Sequence, residues 1–155
     1  MLAVLLAALP LCAAAQQAAD TRQDGAISPR VSPAFGFHYG NPMRFSGAVG
    51  VIIDLNKRNL DGILLLVEPG QKGIQFSTGY LHTFGRFGSG LSVRASALHT
   101  YDDPWEANPQ TTYLGGELHW MVVMGVGGRA GLFKRASGPR GDHDTLGTLG
   151  FSIGL

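Results

Sequence analysis

The sequence ends with Thr145-Leu146-Gly147-Thr148-Leu149-Gly150-Phe151-Ser152-Ile153-Gly154-Leu155. From Leu149 onward every second residue is large and apolar, and the residues between them are glycine or serine. Successive side chains of a strand point to opposite faces, so this period of two predicts a strand with one apolar face and one small or polar face. A chain that stops on its apolar face fits the closing strand of a barrel whose outer surface contacts lipid.

This ending resembles the C-terminal strand of bacterial outer-membrane β-barrels, which alternates in the same way and ends on a hydrophobic residue. That residue is most typically Phe, and here it is Leu155. The resemblance implies a protein of the bacterial cell outer membrane that contacts outer-membrane lipid. It also implies that the barrel-assembly machinery recognises the chain through its C-terminal strand.

The composition fits a single barrel domain. Of the 155 residues, 15% are charged, 45% are hydrophobic and 23 are glycine, and the formal net charge is +1. A nucleic-acid partner is not expected, because nucleic-acid-binding domains carry a strong basic excess. Glycines spread through alternating segments, without a collagen period, fit strands that curve and pack closely.

Residues 1–15 have the apolar run and the small-residue cleavage site of a secretory signal peptide. The sole cysteine, Cys12, lies in this segment, so the mature chain is expected to have no disulfide, catalytic thiol or cysteine zinc site. A lipidated Cys12 is an alternative, although Leu11 is bulky for the position before it. Residues 16–33 are polar with scattered prolines and predict a flexible periplasmic lead-in, and residues 34–155 predict the barrel.

Alternating segments separated by turn residues run through the rest of the chain. They predict strands over residues 34–40, 44–55, 62–68, 74–84, 91–101, 112–124 and 126–135, with the terminal stretch as the eighth. Most run about ten to twelve residues, close to the roughly 9–11 that a tilted strand needs to cross a bilayer core. The predicted fold is therefore all-β, an eight-stranded antiparallel up-and-down transmembrane β-barrel preceded by a signal peptide. The loops 102–110 and 136–144 should lie together outside the cell and accept insertions.

The alternation also predicts which residues face lipid. The large apolar residues on the outward face of the clearest strands are Phe45, Val49, Val51, Ile53, Leu118, Trp120, Phe151 and Ile153.

Charged residues on the opposite face predict an interior ion-pair network of Arg94, Glu117, His119 and Arg129. The tight turn near Met124 and the midpoint of the 102–110 loop set the expected register, in which Glu117 faces Arg94 and His119 faces Arg129. We expect Glu117 to be the hub between two guanidinium groups, with His119 neutral. Glu68, near a strand end, should matter less.

Leu-His dipeptides recur at His82, His99 and His119, but the first two histidines share the apolar face and the third shares the polar face. They cannot easily converge on a metal, so no metal or cofactor is expected, and His82 and His99 fit the aromatic girdles at headgroup level.

A hydrolytic site is also not predicted, because Ser77, Ser92 and Ser96 have no histidine two residues away. The expected function is a structural or surface-interaction barrel whose external loops meet an extracellular partner, since eight strands leave no room for a pore. The alternatives are a lipid-modifying outer-membrane enzyme resembling lipid A deacylases and a soluble, lipocalin-like barrel that binds an apolar ligand.

Overall fold

The computed structural model describes residues 30–55, 61–84, 89–123, 125–139, 141 and 143–154. The chain is all-β and forms a closed antiparallel barrel of eight strands in sequential order, with β1 paired to β8. The strands are β1 (Val31–Gly40), β2 (Arg44–Asp54), β3 (Gly62–Pro69), β4 (Gly73–Phe84), β5 (Ser89–Thr100), β6 (Thr112–Val123), β7 (Val126–Ser137) and β8 (Thr145–Gly154). The predicted signal peptide, residues 1–15, lies outside the described residues.

The first strand begins earlier than the sequence predicts. It starts at Val31 and includes Pro33, although both residues belong to the flexible lead-in predicted over residues 16–33. Pairing with β8 starts only at Gly36, so the first residues of β1 have β2 on one side and, among the described residues, no strand on the other. Proline is tolerated at such a sheet edge because its missing N–H leaves no ladder hydrogen bond unmade.

Odd- and even-numbered connections lie at opposite ends of the barrel. We call the end that carries the connections after β1, β3, β5 and β7 the loop end, and the other, where β1 begins and β8 finishes, the terminal end. The two longest of these connections, after β5 and β7, share the loop end as expected.

The interior is filled in three layers. A terminal-end cluster of buried apolar side chains closes one end, and it consists of Ala34, Ile52, Leu64, Leu66, Leu81 and Met121. A loop-end cluster closes the other, and it consists of Met43, Leu98, Ala107, Tyr113, Phe133 and Leu146. Between them lies a polar layer that holds the buried charged side chains. Side chains therefore occupy the interior from end to end, as is usual for eight strands.

The β5–β6 loop, residues 101–111, folds across the loop end as a lid. Its Trp105 amide donates to the carbonyl of Pro42 on the opposite rim at 3.2 Å. Asn108, 6% exposed, donates through Nδ2 to the His143 carbonyl at 3.0 Å and so joins the lid to the β7–β8 loop. The lid is thus part of the packed structure: Ala107 and Asn108 are buried in it, whereas most of the loop is exposed, and its tolerance of insertions stays a prediction.

Candidate functional site

The polar layer contains all four residues of the expected interior network. Arg94, Glu117, His119 and Arg129 are each at most 4% exposed. The strand pairing sets Arg94 opposite Glu117 and His119 opposite Arg129, in the register that the loop midpoints indicate. Their hydrogen bonds, however, divide them into three separate groups.

The first group is centred on Glu68. Arg129 Nη1 donates to both carboxylate oxygens of Glu68, at 2.7 and 2.9 Å. Ser46 Oγ donates to Oε1 at 2.5 Å, and His38 Nδ1 lies 2.9 Å from Oε2. All four side chains are buried. Burial removes the carboxylate from water, and the guanidinium and the further donors replace the hydrogen bonds that water would make. Glu68 and Arg129 therefore form the main ion pair of the interior.

The second group is centred on His119. Arg94 Nη2 lies 2.6 Å from His119 Nδ1, and His119 Nε2 lies 2.6 Å from Ser152 Oγ. A guanidinium group can only donate, so Nδ1 accepts and carries no proton. The proton is therefore on Nε2, which donates to Ser152, and the imidazole is neutral.

The third group is centred on Glu117. Its Oε2 accepts hydrogen bonds from Gln75 Nε2 and from Ser96 Oγ, the latter at 3.2 Å. Among the described residues, no basic side chain lies within ion-pair distance of this carboxylate. The expectation that Glu117 is the hub between two guanidinium groups is therefore corrected, because Arg129 pairs with Glu68 instead.

Sequence reasoning missed Glu68 as an interior residue. It stands at the end of an apolar run, Ile63 to Val67, which hides the alternation, but its parity is that of the buried Leu64 and Leu66. That parity was the available signal. No sequence signal pointed to the pairing of Glu68 with Arg129, because β3 and β7 lie on opposite sides of the barrel and are not hydrogen-bonded neighbours.

The polar layer holds parts of hydrolytic triads but, among the described residues, no complete one. His119 contacts Ser152, yet its other ring nitrogen faces Arg94 and not a carboxylate. His38 contacts the carboxylate of Glu68, but the hydroxyl nearby, that of Ser46, donates to the carboxylate as well. A triad needs serine, histidine and acid in that order. The described residues also contain no group of three or more His, Cys, Asp or Glu side chains placed to hold a metal ion.

The residues expected to face lipid lie on the outer face. Phe45, Val49, Leu118, Trp120, Phe151 and Ile153 are 36–59% exposed, and Val51 and Ile53 are half-exposed on the same face. His82 and His99 also point outward, near opposite ends of the barrel, and their rings contact Phe84 and Tyr101 respectively.

Comparison with protein-family models, curated proteins and solved structures finds no match to this chain. The described residues include no helix that could serve as a membrane-spanning segment.

Proposed function

We propose that this chain spans the bacterial outer membrane as an eight-stranded β-barrel and acts as a structural and surface-interaction protein through its loop end. The proposal rests on one observation: apolar side chains cover the outside of the barrel and charged side chains lie inside it, the opposite of a water-soluble barrel. On the outside, Val93 is 60% exposed and Leu132 and Leu149 are each 66% exposed, whereas inside Arg94 and Glu117 are 2% and 4% exposed. Large exposed apolar surfaces of this kind mark contact with lipid or a partner.

Further features of the outer wall support contact with lipid. Large apolar side chains are exposed on the outer face of every strand, and they include Phe35, Phe76, Leu91 and Val122. The strands have 8–12 residues, close to the roughly 9–11 that a tilted strand needs to cross a bilayer core.

Because the interior is filled, a function carried out at the barrel's surface is favoured over transport or ligand binding inside the barrel. Apolar clusters lie at both ends of the polar layer, so neither a diffusion path nor a ligand chamber fits the packing. A lipocalin-like barrel would need the opposite arrangement, with an apolar chamber inside and polar side chains outside. At the loop end, hydrogen bonds of Asn108 join the lid to the β7–β8 loop, and the two loops together form a surface that suits recognition of an extracellular partner.

The proposal is tested by fractionating cells that express the full chain and by comparing heated and unheated samples of the detergent-extracted protein on a gel. The protein should be recovered with outer membranes, and the unheated barrel should migrate differently from the heated chain. Protease added to whole cells should cleave at the loop end and not in the connection between β2 and β3. Recovery as a freely soluble protein refutes the membrane proposal, and cleavage at the terminal end reverses the orientation.

A further inference from the structure

The outer wall of the barrel differs between its two halves near the loop end. On β1 to β4 the outward residues near that end are exposed and apolar or aromatic, and they include Tyr39, Phe45, Val67 and Phe76. On β5 to β8 the outward residues near the same end are polar, namely His99, Thr112, Lys134 and Thr145. We call these four residues the polar patch. Under the proposed membrane location, the polar patch places hydrogen-bonding groups where an apolar wall meets the lipid headgroups.

The strand pairing brings the polar patch together. His99 lies opposite Thr112, and Lys134 lies opposite Thr145. On its other side Lys134 faces Leu114, which is two residues beyond Thr112 on the same face of β6. Opposite residues have Cβ atoms about 4.5–5.5 Å apart, and diagonal neighbours are roughly 7–8 Å apart. One ligand held by the Lys134 ammonium group can therefore also meet the hydroxyls of Thr112 and Thr145.

Lys134 is the basic residue of the patch, and its charge has no anionic partner. It is exposed, and among the described residues no carboxylate lies within ion-pair distance of it. Lys72 differs, because it is paired with Asp103 at 3.1 Å and its hydrogen bond lowers the pKa of that carboxyl. Arg135 also differs, because its Nε lies 2.7 Å from Asp144. The charge of Lys134 is thus available to an external anion.

Lys134 also differs from the other basic residues in the direction of its side chain. The remaining lysines and arginines of the described strands have the parity of the inward face, and they are Arg44, Arg94, Arg129 and Arg135. Lys134 instead has the parity of Leu132, which is 66% exposed on the outer wall. A cation on a lipid-facing wall is least costly near the interface, where its ammonium group can reach an anion. Lys134 therefore marks a place on the wall that fits an anionic headgroup.

His99 and Thr112 leave a hydrogen-bond donor free in either tautomer of the histidine. His99 Nδ1 lies 3.0 Å from Thr112 Oγ1. If the hydroxyl donates to Nδ1, the imidazole proton is on Nε2 and can donate to a ligand. If Nδ1 donates to the hydroxyl oxygen, the O–H of Thr112 can donate instead. With the exposed hydroxyl of Thr145, the patch offers an ammonium group and at least two further donors, which suits the three terminal oxygens of a phosphate monoester.

We propose that the polar patch binds a phosphate group of lipid A, the phosphorylated glycolipid of the outer leaflet. The Lys134 ammonium group pairs with the phosphate. Thr145 donates to the phosphate oxygens from one side, and the pair of His99 and Thr112 donates from the other. The acyl chains lie along the apolar wall below, over Leu114 and Leu132, which are 54% and 66% exposed. This inference rests on the proposed membrane location and orientation and adds the lipid class that the wall recognises.

Native mass spectrometry of the full chain in detergent measures this binding directly. The protein is mixed with equal amounts of lipid A and of the same lipid A from which a phosphatase has removed the phosphates. The two forms differ in mass, so the abundance of their complexes with the protein can be compared in one spectrum. The phosphorylated form should bind roughly fivefold more, as one charge-assisted contact at an exposed site implies. Added salt should lower this ratio, because it screens an exposed charge pair.

Lys134→Gln should bring the ratio to about one, and Lys134→Arg should keep it because arginine retains the charge. Lys72→Gln is the matched control, since it removes the same charge at the same end of the barrel from a side chain that is paired with Asp103 and lies outside the patch. It should leave the ratio unchanged. Heated and unheated samples compared on a gel show that each variant is folded.

Equal abundance of the two complexes in the unmodified protein overturns the inference. A Lys134→Gln variant that keeps the ratio, or a Lys72→Gln variant that loses it, also overturns it, because the phosphate then binds elsewhere. All three results leave the membrane location standing. Recovery of the chain as a freely soluble protein that binds neither form refutes the proposed function itself.

Discussion

Replacing Glu68 with glutamine should destabilise the barrel more than the same replacement at Glu117. Glutamine keeps the size of the side chain but removes the charge that faces Arg129, whose Nη1 lies 2.7 and 2.9 Å from the two oxygens. The new amide group would also face the donors of Arg129, His38 or Ser46, since every contact of this carboxylate is with a donor. Removing one partner of a buried ion pair costs about 3–5 kcal/mol, because the other charge stays buried and unpaired.

Glu117→Gln is the matched control, since Glu117 lies in the same layer and is equally buried. Its partners are Gln75 and Ser96, which are neutral, so the loss should be about 1–3 kcal/mol, as for a buried hydrogen bond. This order reverses the one that the sequence predicts, in which Glu117 is the hub.

The measurement is the free energy of unfolding in a urea titration of the protein in lipid vesicles, followed by tryptophan fluorescence. A second variant, Glu68→Gln with Arg129→Gln, should recover part of the loss because no charge then remains unpaired. Equal unfolding midpoints for Glu68→Gln and Glu117→Gln, or a larger loss at Glu117, would refute the assignment of Glu68 as the principal partner of Arg129.

Three further variants test other parts of the structure. Val93→Arg places a charge on the outer wall and should cost about 2–4 kcal/mol in vesicles if that wall faces the bilayer midplane, so an unchanged urea midpoint would argue against lipid contact. Gly79→Ala should lower the unfolding free energy by about 1–3 kcal/mol, because the added Cβ would collide with the Val93 carbonyl. Gly147→Ala is the control: a Cβ at Gly147 meets open space, so the unfolding free energy should stay the same within about 0.5 kcal/mol. Asn108→Ala removes side-chain hydrogen bonds between the two long loops and should speed protease cleavage of the lid. Gln110→Ala, at an exposed position of the same lid, should leave the cleavage rate unchanged. Equal cleavage rates for the two variants would show that Asn108 does not hold the lid.

The strands and their register could be predicted from the sequence because both depend on local quantities. The period of two assigns each residue to a face, and the midpoint of a connection fixes which residues pair across it. These two rules were sufficient to set Arg94 opposite Glu117. The eight-stranded count followed from the same alternation.

Contacts across the barrel could not be predicted in this way. Arg129 and Glu68 belong to strands on opposite sides of the wall, and their meeting depends on the barrel's diameter and shear, which no single strand encodes. The lid is a similar case. The composition of residues 102–110 predicts a polar loop, but the insertion of Ala107 among the loop-end cluster depends on the shape of the mouth that it covers.

Two contacts of the polar layer join residues far apart along the chain, with separations of 61 residues for Glu68 and Arg129 and 42 for Gln75 and Glu117. None of these bonds can form until strands from both halves of the chain have come together. In a bilayer, an incomplete sheet would expose these charged groups to hydrocarbon, where each unpaired group costs several kcal/mol. Partly inserted sheets are therefore strongly disfavoured as intermediates. If the chain spans a membrane as proposed, insertion and closure should occur as one cooperative event, with the polar layer reaching the membrane interior only after its charges have met.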